Sequence, residues 1–392
     1  MTGPAKLKVL IVFGTRPEAI KMAPVVKEIE KHENYFDSRV CVTAQHREML
    51  DQVLEIFSII PDYDLDLMRQ DQDLYGLSGM VLQGMKSVLE DFSPDLVLVH
   101  GDTTSSFFAA LAAYYRQIPV GHVEAGLRTG NIYSPWPEEI NRKLTCAIAK
   151  YHFAPTARAK NNLDQEGVIE QIYITGNTVI DALHMALDII RSDSTLEARI
   201  TQSLVHQGCR IPVNKKVLLV TGHRRENFGK GFLQICEALL KLSIIHPEFD
   251  IIYPVHYNPN VRKPVYEMLG NQPNIFLIDP LEYLSFVYLM DKSFLVLTDS
   301  GGIQEEAPSL GKPVIVMRNN TERPEAVEAG TVILTGTDSD VIVEKVGNLL
   351  TNPHLYERMS KAHNPYGDGH AAARIVDVLI NLAVERDTLL NQ

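Results

Sequence analysis

Short apolar runs alternate with longer amphipathic stretches along this chain. Val9–Phe13, Arg39–Thr43, Asp95–His100, Ile118–Val123, Tyr151–Pro155 and Ile172–Thr175 are short and rich in Val, Ile, Leu and aromatic residues. Continuous apolar runs of that length, bounded by turn residues, predict strands buried on both faces of a parallel sheet. Ala19–Lys31, Leu74–Phe92 and Phe107–Arg116 read as helices between them, and Asp62–Asp73 is acidic and irregular. Thr178–Gln207 reads as a polar helical linker. The pattern then restarts, with strands at Val217–Thr221, Asp250–Val255, Ile275–Ile278, Phe294–Thr298 and Val314–Met317 and helices at Phe232–Leu242 and Tyr283–Met290. Val376–Leu390 is a last helix. The expected class is α/β, with two Rossmann-like doubly wound parallel-sheet domains. The expected division is residues 1–178, then 179–370, with a C-terminal helix in 371–392 that returns to the N-terminal domain.

Composition narrows this only in part. The chain has 392 residues, 45% hydrophobic and 22% charged, with a formal net charge of −12. That balance is globular, and its sign disfavours general binding to nucleic acid or an anionic membrane. An anionic ligand then needs a local cluster of Arg, Lys or His. No apolar run approaches the ~20 residues that span a bilayer. The first run passes straight into Gly14-Thr15-Arg16, unlike a signal-peptide core. Cys41, Cys146, Cys209 and Cys236 are scattered without a CxxC pair, which suits a reducing cytoplasm and offers neither a disulfide framework nor a spaced zinc site.

Candidate chemistry sits where the predicted strands end. Phe294–Glu325 places Ser300-Gly301-Gly302 between a strand and a helix expected from about Ile303, with Glu305 and Glu306 in its first turn. The two glycines allow a tight turn and close approach of a ligand to the backbone. A helix N-terminus there offers free N–H groups and a favourable dipole to an anion. Arg318 and Arg323 follow the next strand and can neutralise a diphosphate, and Glu306 can reach ribose hydroxyls. A lone Gly-rich turn is a weak signal, and an ordinary strand–turn–helix unit reads the same way. Pro308 argues against a long helix. Arg16 and Lys21 lie near the N-terminal end of the first helix, where the dipole does not favour cations. They either meet an anion or are solvated. Asp102 follows the third strand, where open α/β sheets bind ligands, or it caps the next helix. Glu138 and Glu139 occupy a first helical turn, where acids are ordinarily favoured. His223-Arg224-Arg225 forms a second cationic cluster, and His256 ends another strand. Gly14-Thr15-Arg16 replaces the GxGxxG turn expected of an NAD site.

Nine segments in order then carry a family resemblance: GTRPEAIKMAP (14–24), TAQHREMLDQV (43–53), HGDTTS (100–105), HVEAGLRTG (122–130), PWPEEINR (135–142), TGNTVIDAL (175–183), TGHRREN (221–227), DSGGIQEEAPSLGKPV (299–314) and TERPE (321–325). Together they resemble the bacterial non-hydrolysing UDP-N-acetylglucosamine 2-epimerases, to about Arg374. The resemblance implies a glycosyltransferase-B architecture with the active site in a central cleft, in a cytoplasmic homodimer. It implies reversible epimerisation of UDP-GlcNAc to UDP-ManNAc without NAD, so no cofactor is expected; nor does the sequence carry an HExxH or clustered-carboxylate pattern that would demand a metal. Arg16, Lys21, Asp102, Glu124, His223, Ser300, Gly301, Gly302, Glu306 and Arg323 match substrate-holding positions. Leu281 and Phe286 match the uracil side, although relatives often carry Gln at the former. Gln45, His46, Arg225 and His256 match a site where a second UDP-GlcNAc acts as activator.

The chemistry so implied is loss of UDP to a 2-acetamidoglucal followed by re-addition. Asp102, Glu124 and Glu138 would be the acid and base groups. His223, Arg16, Arg323 and the Gly301-Gly302 amides would stabilise the departing diphosphate. A hydrolysing epimerase, a glycosyltransferase of the same architecture and a catalytically silent nucleotide-sugar sensor stay open at this stage.

Overall fold

The computed structural model describes residues 6–44, 47–67, 72–168, 171–211 and 215–390. Its first sheet has strands β1 (Leu7–Phe13), β2 (Phe36–Val42), β3 (Tyr63–Asp64), β4 (Leu96–His100), β5 (Val120–Val123), β6 (Tyr151–Ala154) and β7 (Ile172–Ile174), ordered β3-β2-β1-β4-β5-β6-β7. The second has β8 (Lys216–Thr221), β9 (Phe249–Pro254), β10 (Ile275–Ile278), β11 (Leu295–Thr298), β12 (Val314–Val316) and β13 (Val332–Leu334), ordered β10-β9-β8-β11-β12-β13. Every pairing in both sheets is parallel. In each sheet the strand order reverses once, between β1 and β4 and between β8 and β11. Such a switch point opens a crevice beyond the strands' carboxyl ends, and ligands of open α/β sheets bind there.

The chain forms two compact units, one ending at Ala182 and resuming at Tyr366, the other running Leu183–Pro365. The first is built on Leu10, Val12, Val97 and Val99 of the central strands, packed under Val81, Met85 and Leu89 of helix Leu74–Phe92. The second centres on Val220, Ile251, Leu297 and Ile315 with Ile235 and Leu239 of helix Lys230–Ile245. The central strands β1, β4, β8 and β11 are almost entirely apolar, the pattern of parallel strands covered by helices on both faces. Helix Ala371–Leu390 belongs to the first unit and packs on helix Arg16–Glu30. The Asp181 carboxylate accepts from the amides of Ala371 and Ala372 at 3.2 and 2.8 Å, fixing that helix's N-terminus.

Several boundaries differ from the sequence expectation. The polar stretch after Thr178 is two helices, Thr178–Ser192 and Ser194–His206, because Asp193 caps the second through the amides of Thr195 and Leu196. Helix Gly301–Ser309 begins at Gly301 rather than near Ile303, which moves Glu305 and Glu306 into its second turn. Helices Pro259–Leu269, Ser339–Thr351 and Pro353–Ser360 and strand β13 were not anticipated. Among the described residues no helix is long and apolar enough to cross a membrane.

Candidate active site

In the first unit the loops leaving β1 and β4 flank the switch point, and one side chain joins them. Helix Arg16–Glu30 opens with a capping box: Thr15 Oγ1 accepts from the Glu18 amide, and the Glu18 carboxylate accepts from Gly14 N at 3.0 Å and Thr15 N at 2.8 Å. The other Glu18 oxygen accepts from the hydroxyls of Thr103 and Ser106 at 2.5 and 2.6 Å. A buried carboxylate therefore fixes the Arg16 turn against the loop that carries Asp102. Gly14 has no substitute, because a Cβ there would lie 1.9 Å from Thr43 Oγ1. Glu18→Ala strands two buried amide donors and is expected to lower stability by about 3 kcal/mol in urea unfolding. An unchanged unfolding midpoint would deny the clasp this role.

Glu124 follows β5 with φ +62°, a left-handed conformation costly for a residue with a Cβ and characteristic of functional turns. Its carboxylate pairs with Lys21, lies 3.4 Å from His100 Nε2 and accepts from Asn177 Nδ2 at 3.1 Å. Burial pushes the Glu124 carboxyl up, but Lys21 and His100 outweigh it and hold it well below the usual range. Lys21 is thus held by a carboxylate of its own unit.

Asp102 pairs with Arg142 at 2.5 Å, and its carbonyl accepts from Asn141 Nδ2 at 3.0 Å. Here burial wins: it raises the Asp102 carboxyl, Arg142 and Lys21 oppose it, and Glu124 and Glu138 add to it. Of the two acids opening helix Glu138–Ile148, Glu139 is fully buried and accepts from the amides of Thr129 and Gly130, both at 3.1 Å. That assigns Glu139 to holding the loop. Glu138 is half-buried and electrostatically coupled to Asp102.

The second unit repeats the device at its own switch point. Asp299, fully buried after β11, accepts from the amides of His223 and Arg224 at 2.9 and 2.8 Å and from Asn227 Nδ2 at 3.3 Å. It fixes the loop leaving β8. The His223 ring stacks on His256, with centroids 5.2 Å apart and planes 10° from parallel. Burial lowers the His223 pKa; Asp299 opposes this, and His256 and Arg224 add to it, so the ring favours its neutral form.

Helix Gly301–Ser309 starts at Ser300 without a side-chain cap, leaving its first amides to another acceptor. Neither Gly301 nor Gly302 has a positive φ. A Cβ on Gly302 would meet nothing within 4 Å, and one on Gly301 only Arg224 Nη2 at 3.7 Å. Protein packing and turn geometry do not require glycine here, contrary to the expected tight turn; what the glycines provide is open space over the amides. Arg323 pairs with the buried Glu305, and Arg318 pairs with Glu226 at 2.5 Å, so both arginines already have carboxylate partners. Glu306 is half-buried in the same helix. Leu281 and Phe286 are half-buried beside and within helix Tyr283–Lys292, and Arg225 and His256 are exposed. Gln45 and His46 lie outside the described residues.

Sequence reasoning passed over Glu18, His100, Arg142, Asn177 and Asp299. The Thr15-x-x-Glu18 spacing was a readable capping signal. The other four act through partners distant in sequence.

Polar residues gathered at the carboxyl edges of the two parallel sheets, one edge with the ion-paired carboxyls of Asp102 and Glu124 and the other with an open helix N-terminus, define an α/β protein with a candidate ligand-binding edge on each sheet. Residues 27–380 match the family model for UDP-N-acetylglucosamine 2-epimerase. The chain belongs to that family. It is 60% identical over 372 residues to a probable UDP-N-acetylglucosamine 2-epimerase of Ralstonia solanacearum, covering 94% of this chain and 97% of that one. The UDP-N-acetylglucosamine 2-epimerase of Escherichia coli K12 is 58% identical over 376 residues, 96% of this chain and 99% of its own. The crystal structure of UDP-GlcNAc 2-epimerase from Neisseria meningitidis bound to UDP-GlcNAc aligns with TM-score 0.86 at 53% identity, over 96% of this chain and all of that one.

Proposed function

We propose that the protein interconverts UDP-GlcNAc and UDP-ManNAc by elimination and re-addition, without hydrolysing the sugar. The Gly301-Gly302 amides and His223 are the proposed contacts for the diphosphate. The C1–O bond breaks with its electron pair leaving on UDP. A carboxylate takes the C2 proton, and the C1–C2 double bond of 2-acetamidoglucal forms. A carboxylic acid then returns a proton to the opposite face of C2 as the UDP oxygen re-attacks C1. No net oxidation occurs, so no redox cofactor is needed.

The observation that carries this reading is the contrast between two buried carboxyls: Glu124, bonded by Asn177, is held low despite burial by its ion pair with Lys21, whereas burial raises Asp102 beside Arg142. Inversion at C2 needs one carboxyl ionised and another protonated at the start of each turnover. Environments that push two carboxyls apart supply that pairing. Asp102 is assigned as the proton donor in the direction that begins with Glu124 ionised, and the roles exchange in reverse. Lys21 keeps Glu124 charged, and Glu138 adds negative potential at Asp102. Arg225 and His256 are proposed to contact a second UDP-GlcNAc acting as activator, in a homodimer.

The test is incubation with UDP-GlcNAc in heavy water. Both UDP-sugars should acquire deuterium at C2. Retained protium, or free ManNAc and UDP as main products, would reject the reading. A second prediction concerns pH. Arg142 lowers the Asp102 pKa, so Arg142→Met should raise it further and move the alkaline limb of kcat/KM to higher pH. Movement the other way, or none, would remove Asp102 from the donor role.

A further inference from the structure

Beneath the Asp102 loop lies a buried side-chain cluster that the proposed reaction does not use. His122 of β5 and His152 of β6 are register partners on adjacent parallel strands, which places both rings on one face of the sheet. Cys146, on helix Glu138–Ile148, packs over that face. The three residues are 0%, 2% and 3% exposed for His122, His152 and Cys146, and one potential ligand atom from each lies within 4.8 Å of the other two.

The hydrogen bonding prepares the group. His122 Nε2 lies 2.7 Å from the Gly101 carbonyl, which can only accept, so the ring proton sits on Nε2. The Nδ1 lone pair is then directed at Cys146 Sγ, 3.4 Å away. An imidazole that donates its other N–H to a backbone carbonyl is the usual outer support of a metal-ligating histidine. His152 adds a second observation, for its buried Nδ1 has no hydrogen-bond partner among the described residues. Zinc–sulfur and zinc–nitrogen bonds of about 2.3 and 2.0 Å at a tetrahedral angle put sulfur and nitrogen about 3.5 Å apart, close to the spacing here. The widest spacing, up to 4.8 Å, would have to close by as much as about 1.5 Å on binding.

We propose that His122, Cys146 and His152 form a binding site for a thiophilic cation of the zinc class, with Cys146 ligating as the thiolate. The site offers three protein ligands. Arg128 lies beside the sulfur, but its charge is offset by two hydrogen bonds to Glu166, at 2.9 and 2.6 Å. The cysteine spacing gave no hint of such a site because its ligands come from two strands and a helix. Because the cluster is closed to solvent, the cation enters as β5, β6 and the helix assemble. Once bound, it would fix His122 under the Gly101 carbonyl and steady the helix that sends Asn141 and Arg142 to Asp102. Its role is to position that loop, not to touch substrate.

The test is the zinc content of full-length protein made in zinc-supplemented cells and washed with a mild chelator, beside Cys146→Ser and His152→Gln. The expected result is about one zinc per wild-type chain, reduced at least tenfold in each variant that folds. Cobalt-loaded wild type should show a sulfur-to-metal charge-transfer band, and this reading stands alone if neither variant folds. Wild type without zinc and without the cobalt band would overturn the proposal in favour of a plain S–H···N hydrogen bond. Zinc retained equally by both folded variants would overturn it as adventitious surface binding. Neither outcome bears on epimerisation, which the heavy-water experiment decides separately.

Discussion

Gly302→Ala is expected to weaken UDP binding by about a hundredfold, ~2.7 kcal/mol, with no loss of thermal stability. The two halves of that expectation have separate causes. A methyl group at position 302 meets nothing within 4 Å, and the backbone there does not need glycine. Alanine in a helix is favoured over glycine by up to ~1 kcal/mol, so the melting temperature should hold or rise. The same methyl occupies the space above uncapped amides, where the proposed diphosphate contact would have to come within hydrogen-bond distance. Losing a hydrogen bond to a charged group typically costs about 1.5–3 kcal/mol, which brackets the expected loss. Calorimetric titration with UDP, run beside a thermal melt, reads both. Wild-type affinity in the variant would move the diphosphate away from this helix.

Asp102→Asn is the complementary experiment. It should reduce turnover and C2 deuterium exchange by about a thousandfold while UDP affinity stays within about twofold, since general acid–base groups contribute about 10² to 10⁴ in rate. Asparagine keeps an acceptor for Arg142 and removes the only titratable group on that side chain. The fold should tolerate the change, because burial already disfavours the charged form of Asp102. Near-normal exchange would remove Asp102 from the chemistry. The two variants also separate kinetically: Gly302→Ala should raise KM and retain much of kcat, and Asp102→Asn the reverse.

Much of the architecture was legible because buried parallel strands have few alternatives as sequence patterns. Ile275–Ile278 and helix Leu74–Phe92 were placed to the residue, and most other strands to within one to three. The second half was less readable. β13 is three residues long, and Pro264 lies inside helix Pro259–Leu269, where a proline normally argues for a break. The candidate site was readable as a set of loops, since charged residues after apolar runs mark carboxyl edges. Its wiring was not. Asp299 acts on backbone amides 75 and 76 residues away, and Glu18 on hydroxyls 85 and 88 residues away. No local pattern encodes such partners. Arg318 and Arg323 looked available for phosphate for the same reason: their carboxylates, Glu226 and Glu305, are neighbours only after folding.

The docking of helix Ala371–Leu390 onto the first unit has a consequence for biosynthesis. During translation the first sheet can form once about 180 residues have left the ribosome. Its helix Arg16–Glu30 then waits with an uncovered apolar side until residues 371–390 emerge, well after the entire intervening unit has been made. A nonsense mutation near position 370 would therefore damage the amino-terminal part of the nascent protein, and chaperones would be expected to hold the growing polypeptide through that interval.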